Sequence, residues 1–214
     1  GTISYTWTYT DCEGNTHPWT YTYTIERQDF SIPMTLDNST VDCASDAVAG
    51  TVILPVVVSD CGEPLTPTGP VTNANNTDTY AGCEGTISYT WTYTDCEGNT
   101  HPWTYTYTIE RQDFTIPVTL NASTVACVSE AVAGTVTLPV VTSDCGETLT
   151  PTGPVTDAND TDTYAGCEGT ISYTWTYTDC EGNTHPWTYT YTIEYLPFSA
   201  PADGGSTVNC PLDA

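Results

Sequence analysis

The sequence predicts tandem all-β sandwich domains. Three observations carry this: an exact long-period repeat, strand patterns with a period of two, and no segment with helical periodicity. GTISYTWTYTDCEGNTHPWTYTYTIE occurs unchanged at 1–26, 85–110 and 169–194. The connecting stretches 27–84 and 111–168 are closely alike. Self-similarity at a fixed period means an array of units. A period of 84 residues suits a small sandwich domain and is too long for one coil of a solenoid.

The strands follow in order. Ser31 to Val41 reads as the first strand of a unit, and Thr51–Val58 as a further one. Pro55 argues for an edge or bulge position in the latter. Pro64, Pro67, Gly69 and Pro70 break up the middle, so strands there are expected to be short. In Thr86–Thr94 every second residue is large and apolar or aromatic and the others are Thr or Ser. Trp103–Ile109 alternates in the same way. Each is a strand with one aromatic and one hydroxyl face. Asp95–Pro102 is rich in turn formers and makes the pair a hairpin. The repeat therefore places a C-terminal hairpin of a preceding partial domain at 1–26 and complete repeats at 27–110 and 111–194. The first strand of a following partial domain falls at 195–214, where Phe198–Pro201 echoes Phe30–Pro33 and Val208–Cys210 echoes Val41–Cys43.

Composition excludes several functions. The formal net charge is -25, with 27 acidic residues, two arginines (Arg27 and Arg111) and no lysine. Such a chain has no basic face for phosphates or anionic lipid. No apolar run is long enough to span a bilayer. No signal-peptide pattern stands at Gly1, so an export signal is expected outside these residues. Ten cysteines imply an oxidising, extracellular setting.

Val58-Ser59-Asp60-Cys61-Gly62 and the hairpin from Ser88 to Thr100 resemble the hyalin-repeat (HYR) domain, and Cys210-Pro211 resembles the Cys-Pro near that family's start. The resemblance covers most of each unit. It implies an immunoglobulin-like sandwich used in adhesion, in arrays like those of large surface adhesins of gliding Bacteroidota. Cys83 and Cys96 depart from the family's usual cysteine positions, so the pairing is argued from topology. Four cysteines allow three connectivities. In an immunoglobulin-like sandwich, Cys43 and Cys83 would share one end and Cys61 and Cys96 the other. The expected bridges are Cys43–Cys83 and Cys61–Cys96, with Cys127–Cys167 and Cys145–Cys180 in the next unit, each stabilising by roughly 3–4 kcal/mol. No CxxC occurs, so a zinc template is not met.

Other chemistry is weakly signalled. His17, His101 and His185 precede a proline in a turn sequence and read as structural. Asp157–Asp162 alternates oxygen donors as calcium requires, but its counterpart Asn73–Asp78 has lost two carboxylates. No cofactor is therefore expected, with calcium the alternative. Asn-x-Ser/Thr sequons at Asn38, Asn75, Asn121 and Asn159 are candidate glycosylation sites, as are the hydroxyls of Thr90, Thr92, Thr104 and Thr106, which alternation turns outward. No enzyme is expected, since no convergent polar pocket is signalled.

The reading is a structural and adhesive segment of an extracellular, surface-attached or secreted bacterial fibre, its domains joined by short linkers into a rod. Its expected partners are further copies of itself and, in the second place, surface glycans. One alternative is a carbohydrate-binding array using exposed Trp91 and Trp103. Another is a filament subunit that polymerises by strand complementation.

Overall fold

The computed structural model describes residues 1–205, 207, 209 and 210. The chain divides into two compact units, Gly1–Arg111 and Gln112–Ala214. Unit 1 contains β1 (Thr2–Thr10), β2 (Thr16–Thr24), β3 (Asn38–Val41), β4 (Val57–Val58), β5 (Pro64–Leu65), β6 (Thr68–Thr72), β7 (Gly85–Thr94) and β8 (Thr100–Ile109). Unit 2 contains β9 (Ala122–Val125), β10 (Val141–Thr142), β11 (Thr148–Leu149), β12 (Thr152–Thr156), β13 (Gly169–Thr178) and β14 (Thr184–Ile193). The fold is all-β and fits tandem immunoglobulin-like sandwiches.

Each complete module, 27–110 or 111–194, rests on one four-stranded sheet, ordered β3-β8-β7-β6 or β9-β14-β13-β12. β7 and β8 pair antiparallel without a bulge, so Trp91 stands opposite Trp103 and Tyr89 opposite Tyr105. β3 pairs parallel with β8, Val41 meeting Ile109. Because side chains alternate across a strand, this register gathers the aromatic residues on one face. That face is the core: Trp91, Tyr93, Trp103, Phe30 and Val57 form its buried centre, and Phe114, Val141, Trp175, Tyr177 and Trp187 repeat it.

The layer opposite this face is mostly irregular. It contains the 3₁₀ turns Ala44–Asp46 and Ala49–Thr51 and the two-stranded ribbon β4-β5. Of the strand expected over Ser31 to Val41, only Asn38–Val41 pairs, and of Thr51–Val58 only Val57–Val58 does. Pro33 and Pro55 have no N–H to give a ladder. The layer's carbonyls are satisfied from across the core instead. The Tyr93 hydroxyl donates to the Pro55 carbonyl at 2.7 Å, the Tyr89 hydroxyl to Ala47 at 2.7 Å, and the Tyr107 hydroxyl to Val48 at 3.2 Å. Tyr177, Tyr173 and Tyr191 do the same for Pro139, Ala131 and Val132. Burial pushes the Tyr93 and Tyr177 phenols above their ordinary pKa, which keeps them protonated as donors.

The far face of the sheet is only partly exposed, which corrects the expectation that its hydroxyls all point to solvent. The loop after β6 folds back over it. The Asp78 carboxylate accepts from the Ser88 backbone N–H and hydroxyl, and Thr79 pairs with Thr86. Gly85 allows the fold-back: its φ is +134°, and a Cβ there would lie 2.6 Å from the Thr79 and Tyr80 backbone. Among the described residues of 195–214 no strand forms, and Val208 and Pro211 lie outside them.

Tyr93→Phe leaves a buried carbonyl without its donor. It should lower module stability by about 1–3 kcal/mol. Tyr105→Phe, whose hydroxyl has no such acceptor, should cost much less. Urea denaturation of the two variants checks this.

Candidate functional site

No pocket with converging catalytic groups emerges among the described residues; the side-chain networks are concentrated at the module's two ends and in its loops. At the leading end, Asp60 of the Ser-Asp-Cys-Gly motif accepts the backbone N–H of Gln28 at 2.8 Å. His101 Nε2 lies 3.0 Å from both carboxylate oxygens of Asp29, and its ring meets Phe30 edge-on at 4.7 Å. Asp144, Gln112, His185, Asp113 and Phe114 repeat the arrangement. The histidines are therefore not bare turn residues. They stand on a strand and clasp a segment 72 residues away. Only their placement before proline was visible in the sequence; the recurring Asp-Phe of the linker was the signal for the partner. Arg27–Glu63, at 4.0 Å with Arg27 half-buried and Glu63 exposed, adds little.

At the trailing end, β8 finishes at Ile109 against Val41 and Gly85, and Glu110 continues that pairing with an N–H to the Val41 carbonyl. His101 and Ile109 lie eight residues apart on one strand, a rise of about 26 Å. The chain thus enters a module at one end and leaves it at the other.

The cysteines sit at these two ends. Cys43 and Cys83 in the first module and Cys145 and Cys180 in the second are disulfide-bonded, two bridges in all. Cys61, Cys96, Cys127 and Cys167, expected in bridges as well, are free thiols here. Each free position has a bonded equivalent in the other module. Arg27 is within electrostatic range of both Cys61 and Cys96, and Tyr195 of both Cys127 and Cys167, so the members of each free pair lie close to a common neighbour. A hydrogen bond to Asp60, with burial, pushes the Cys61 thiol up and disfavours the thiolate that would attack a disulfide.

The loop considered for calcium is held together by its own side chains. Asn73, Asn76, Asp157 and Asp160 all have positive φ, a region that Asn and Asp tolerate. Asn73 Oδ1 accepts the Asp78 N–H, and Asp157 Oδ1 accepts those of Thr161 and Asp162. Asp162 accepts the Ser172 N–H. The loop needs a side-chain acceptor at position 73 or 157, and an amide serves as well as a carboxylate. This is why the charge at that position is dispensable.

The hairpin turn is set the same way. Asp95 Oδ1 accepts from the backbone of Glu97 and Asn99, and Oδ2 from Asn99 Nδ2. The Asn99 side chain foremost holds the Asp95 carboxyl below its ordinary pKa. At Asp179 burial pulls upward, but Asn183 and the turn's N–H groups outweigh it.

The candidate modification sites divide. Asn38, Asn75, Asn121 and Asn159 are exposed. Thr92, Thr104 and Thr106 are half-buried. Thr90 is 7% exposed and hydrogen-bonds Thr104 at 2.8 Å, so it is withdrawn as an acceptor in the folded module. Trp91 and Trp103 are buried, so the complete modules carry no tryptophan platform for sugar stacking on these positions.

A family model described as "HYR-like domain with 4 cysteines" matches residues 1–25, 32–109 and 115–193. The chain belongs to this family of HYR-like repeats, an adhesion-type structural family rather than an enzyme family. A search of curated proteins finds no match.

The depressed Asp95 and Asp179 carboxyls contribute stability that is present above the ordinary carboxylate pKa of about 4 and lost as pH falls below it. A double Asp95→Asn, Asp179→Asn variant should be less stable at pH 7 and should show a flatter loss of Tm between about pH 4 and pH 2. Thermal melts against pH test the sign. Refolding with oxidised glutathione should join Cys61 to Cys96 and Cys127 to Cys167. Non-reducing peptide mapping that links Cys43 to Cys61 would contradict the two-ended framework.

Proposed function

We propose that the chain is a structural and adhesive repeat segment of an extracellular bacterial surface fibre. The supporting observation is the passage of the chain through each module, in at the Asp29–His101 end and out at Ile109. Only Glu110–Asp113 link the end of one module to the first held residue of the next. The leading segment is not slack, since Gln28, Asp29 and Phe30 are each held by the module that follows.

Other features suit exposure outside a cell. Two arginines and no lysine leave trypsin-like proteases few sites. The cystines, and glycans on the four exposed sequons, would add resistance. An acidic surface keeps long arrays apart in solution. Further copies of the repeat are the expected partners in the fibre, with surface glycans as adhesion targets recognised outside the buried tryptophans.

One observation favours a second reading, polymerisation of separate chains by strand complementation. The aromatic residues of the β1-β2 hairpin are exposed, and Phe198, the counterpart of Phe30, is 93% exposed. Electron microscopy of native material separates the fibre from its rivals. Long, thin, unbranched threads with a repeat set by the module are expected, and compact globular particles would end the reading.

A further inference from the structure

Each complete module leaves one uncharged face open, where its irregular layer fails to pair. Among the described residues, the backbone N–H and C=O groups of Ser31–Leu36 make no hydrogen bond, and neither do those of Ile53 and Leu54. Thr115–Leu120, Thr137 and Leu138 repeat this in the second module. The two segments border a groove of about 400 Å³ in the first module and about 300 Å³ in the second. Leu36, Ile53, Leu54 and Tyr105 line it, with Leu120, Leu138 and Tyr189 as counterparts. Leu36 is 74% exposed and Leu120 79%, and the neighbouring Met34 and Val118 are wholly exposed. Tyr105 is also the core tyrosine whose hydroxyl the layer leaves unused, unlike Tyr89, Tyr93 and Tyr107.

The segments that make this face carry no charge. Ser31–Leu36 and Thr51–Val58 contain no Asp, Glu, Lys or Arg, and neither do Thr115–Leu120 and Thr135–Thr142. Asp37, which follows Leu36, is replaced by Asn121 in the second module. In a chain of net charge -25, two copies repel wherever carboxylates meet. Here they can approach without that cost.

We propose that this face docks the same face of a second copy, pairing chains side by side. What covers it must bury aliphatic side chains and also give partners to backbone N–H and C=O groups. A purely apolar ligand would do the first and strand the second. A basic partner would find no carboxylate on these segments and many elsewhere. A second copy supplies everything required: aliphatic side chains, unpaired donors and acceptors in equal measure, and no charge. Such a contact is self-complementary about a two-fold axis. Unpaired backbone edges are ready templates for this kind of association. The inference deepens the reading of further copies as partners by naming a surface for them. It is separable from the fibre itself: threads seen by microscopy without side-by-side pairing would leave the fibre standing and remove only this contact.

The test is sedimentation equilibrium of the unglycosylated full chain, its modules oxidised and its remaining thiols alkylated. Salt screens the repulsion between acidic copies, so pairing should tighten at least about tenfold between about 0.02 M and 0.5 M salt. Leu36→Asp with Leu120→Asp alters side chains already in solvent and sets carboxylates against each other across the contact. The variant should keep its melting temperature and pair at least about tenfold more weakly. Where it melts lower, Leu36→Ser with Leu120→Ser gives the same reading without added charge. The chain's single methionine, Met34, supplies one methyl resonance beside the groove. That resonance should shift with concentration in the parent chain and stay fixed in the variant. A chain that remains monomeric at high salt overturns the proposal, as does association that salt weakens. Association that the Leu36 and Leu120 variants retain, or that leaves the Met34 resonance unmoved, also overturns it, because the contact would then lie elsewhere, as at the exposed β1-β2 hairpin.

Discussion

Each module depends on a reciprocal need between two layers. A sheet face made of tyrosine and tryptophan must lose water from its rings while keeping partners for its hydroxyls. A layer broken by Pro33, Pro55 and two 3₁₀ turns must cover apolar surface while keeping partners for its carbonyls. Tyr93 to Pro55, Tyr89 to Ala47 and Tyr107 to Val48 answer both needs at once. Phenylalanine would fill nearly the same volume and leave the carbonyls stranded. Tyrosine in place of ordinary core aliphatics, conspicuous in the composition, thus follows from the irregularity of what it packs against.

That dependence also explains what the sequence made legible. Period two in Thr86–Thr94 and Trp103–Ile109 fixes which face is aromatic, and the burial of Trp91 and Trp103 follows from it. The repeat fixes which hairpins must look alike. The opposite layer was less readable, because Thr51–Val58 looks like a strand until Pro55 is given a hydroxyl from Tyr93, 38 residues away. The partner of His101 was unreadable for the same reason: Asp29 is 72 residues distant and no local pattern announces it. Thr90 looked outward by alternation, yet an outward face can still be covered, here by its own neighbours and a returning loop.

The differences between modules are informative about tolerance. Asn73 becoming Asp157 changes charge and leaves the loop's hydrogen bond intact. The positions that hold the linker, Asp60 and Asp144, Asp29 and Asp113, His101 and His185, are alike in both modules and perform the same contacts. The constraint in this protein therefore falls on the core and the module ends, while sequence at the loop tips is free to vary.

The hydroxyl protons themselves give the most direct test of the central claim. In water, phenolic protons exchange too fast to be seen by proton NMR unless they are buried and hydrogen-bonded. The account predicts slowly exchanging hydroxyl resonances for Tyr93 and Tyr177, with cross-peaks to protons of the residues around Pro55 and Pro139. Fast exchange at both tyrosines, in a chain whose sheet is otherwise formed, would show that the two layers are held together by something else.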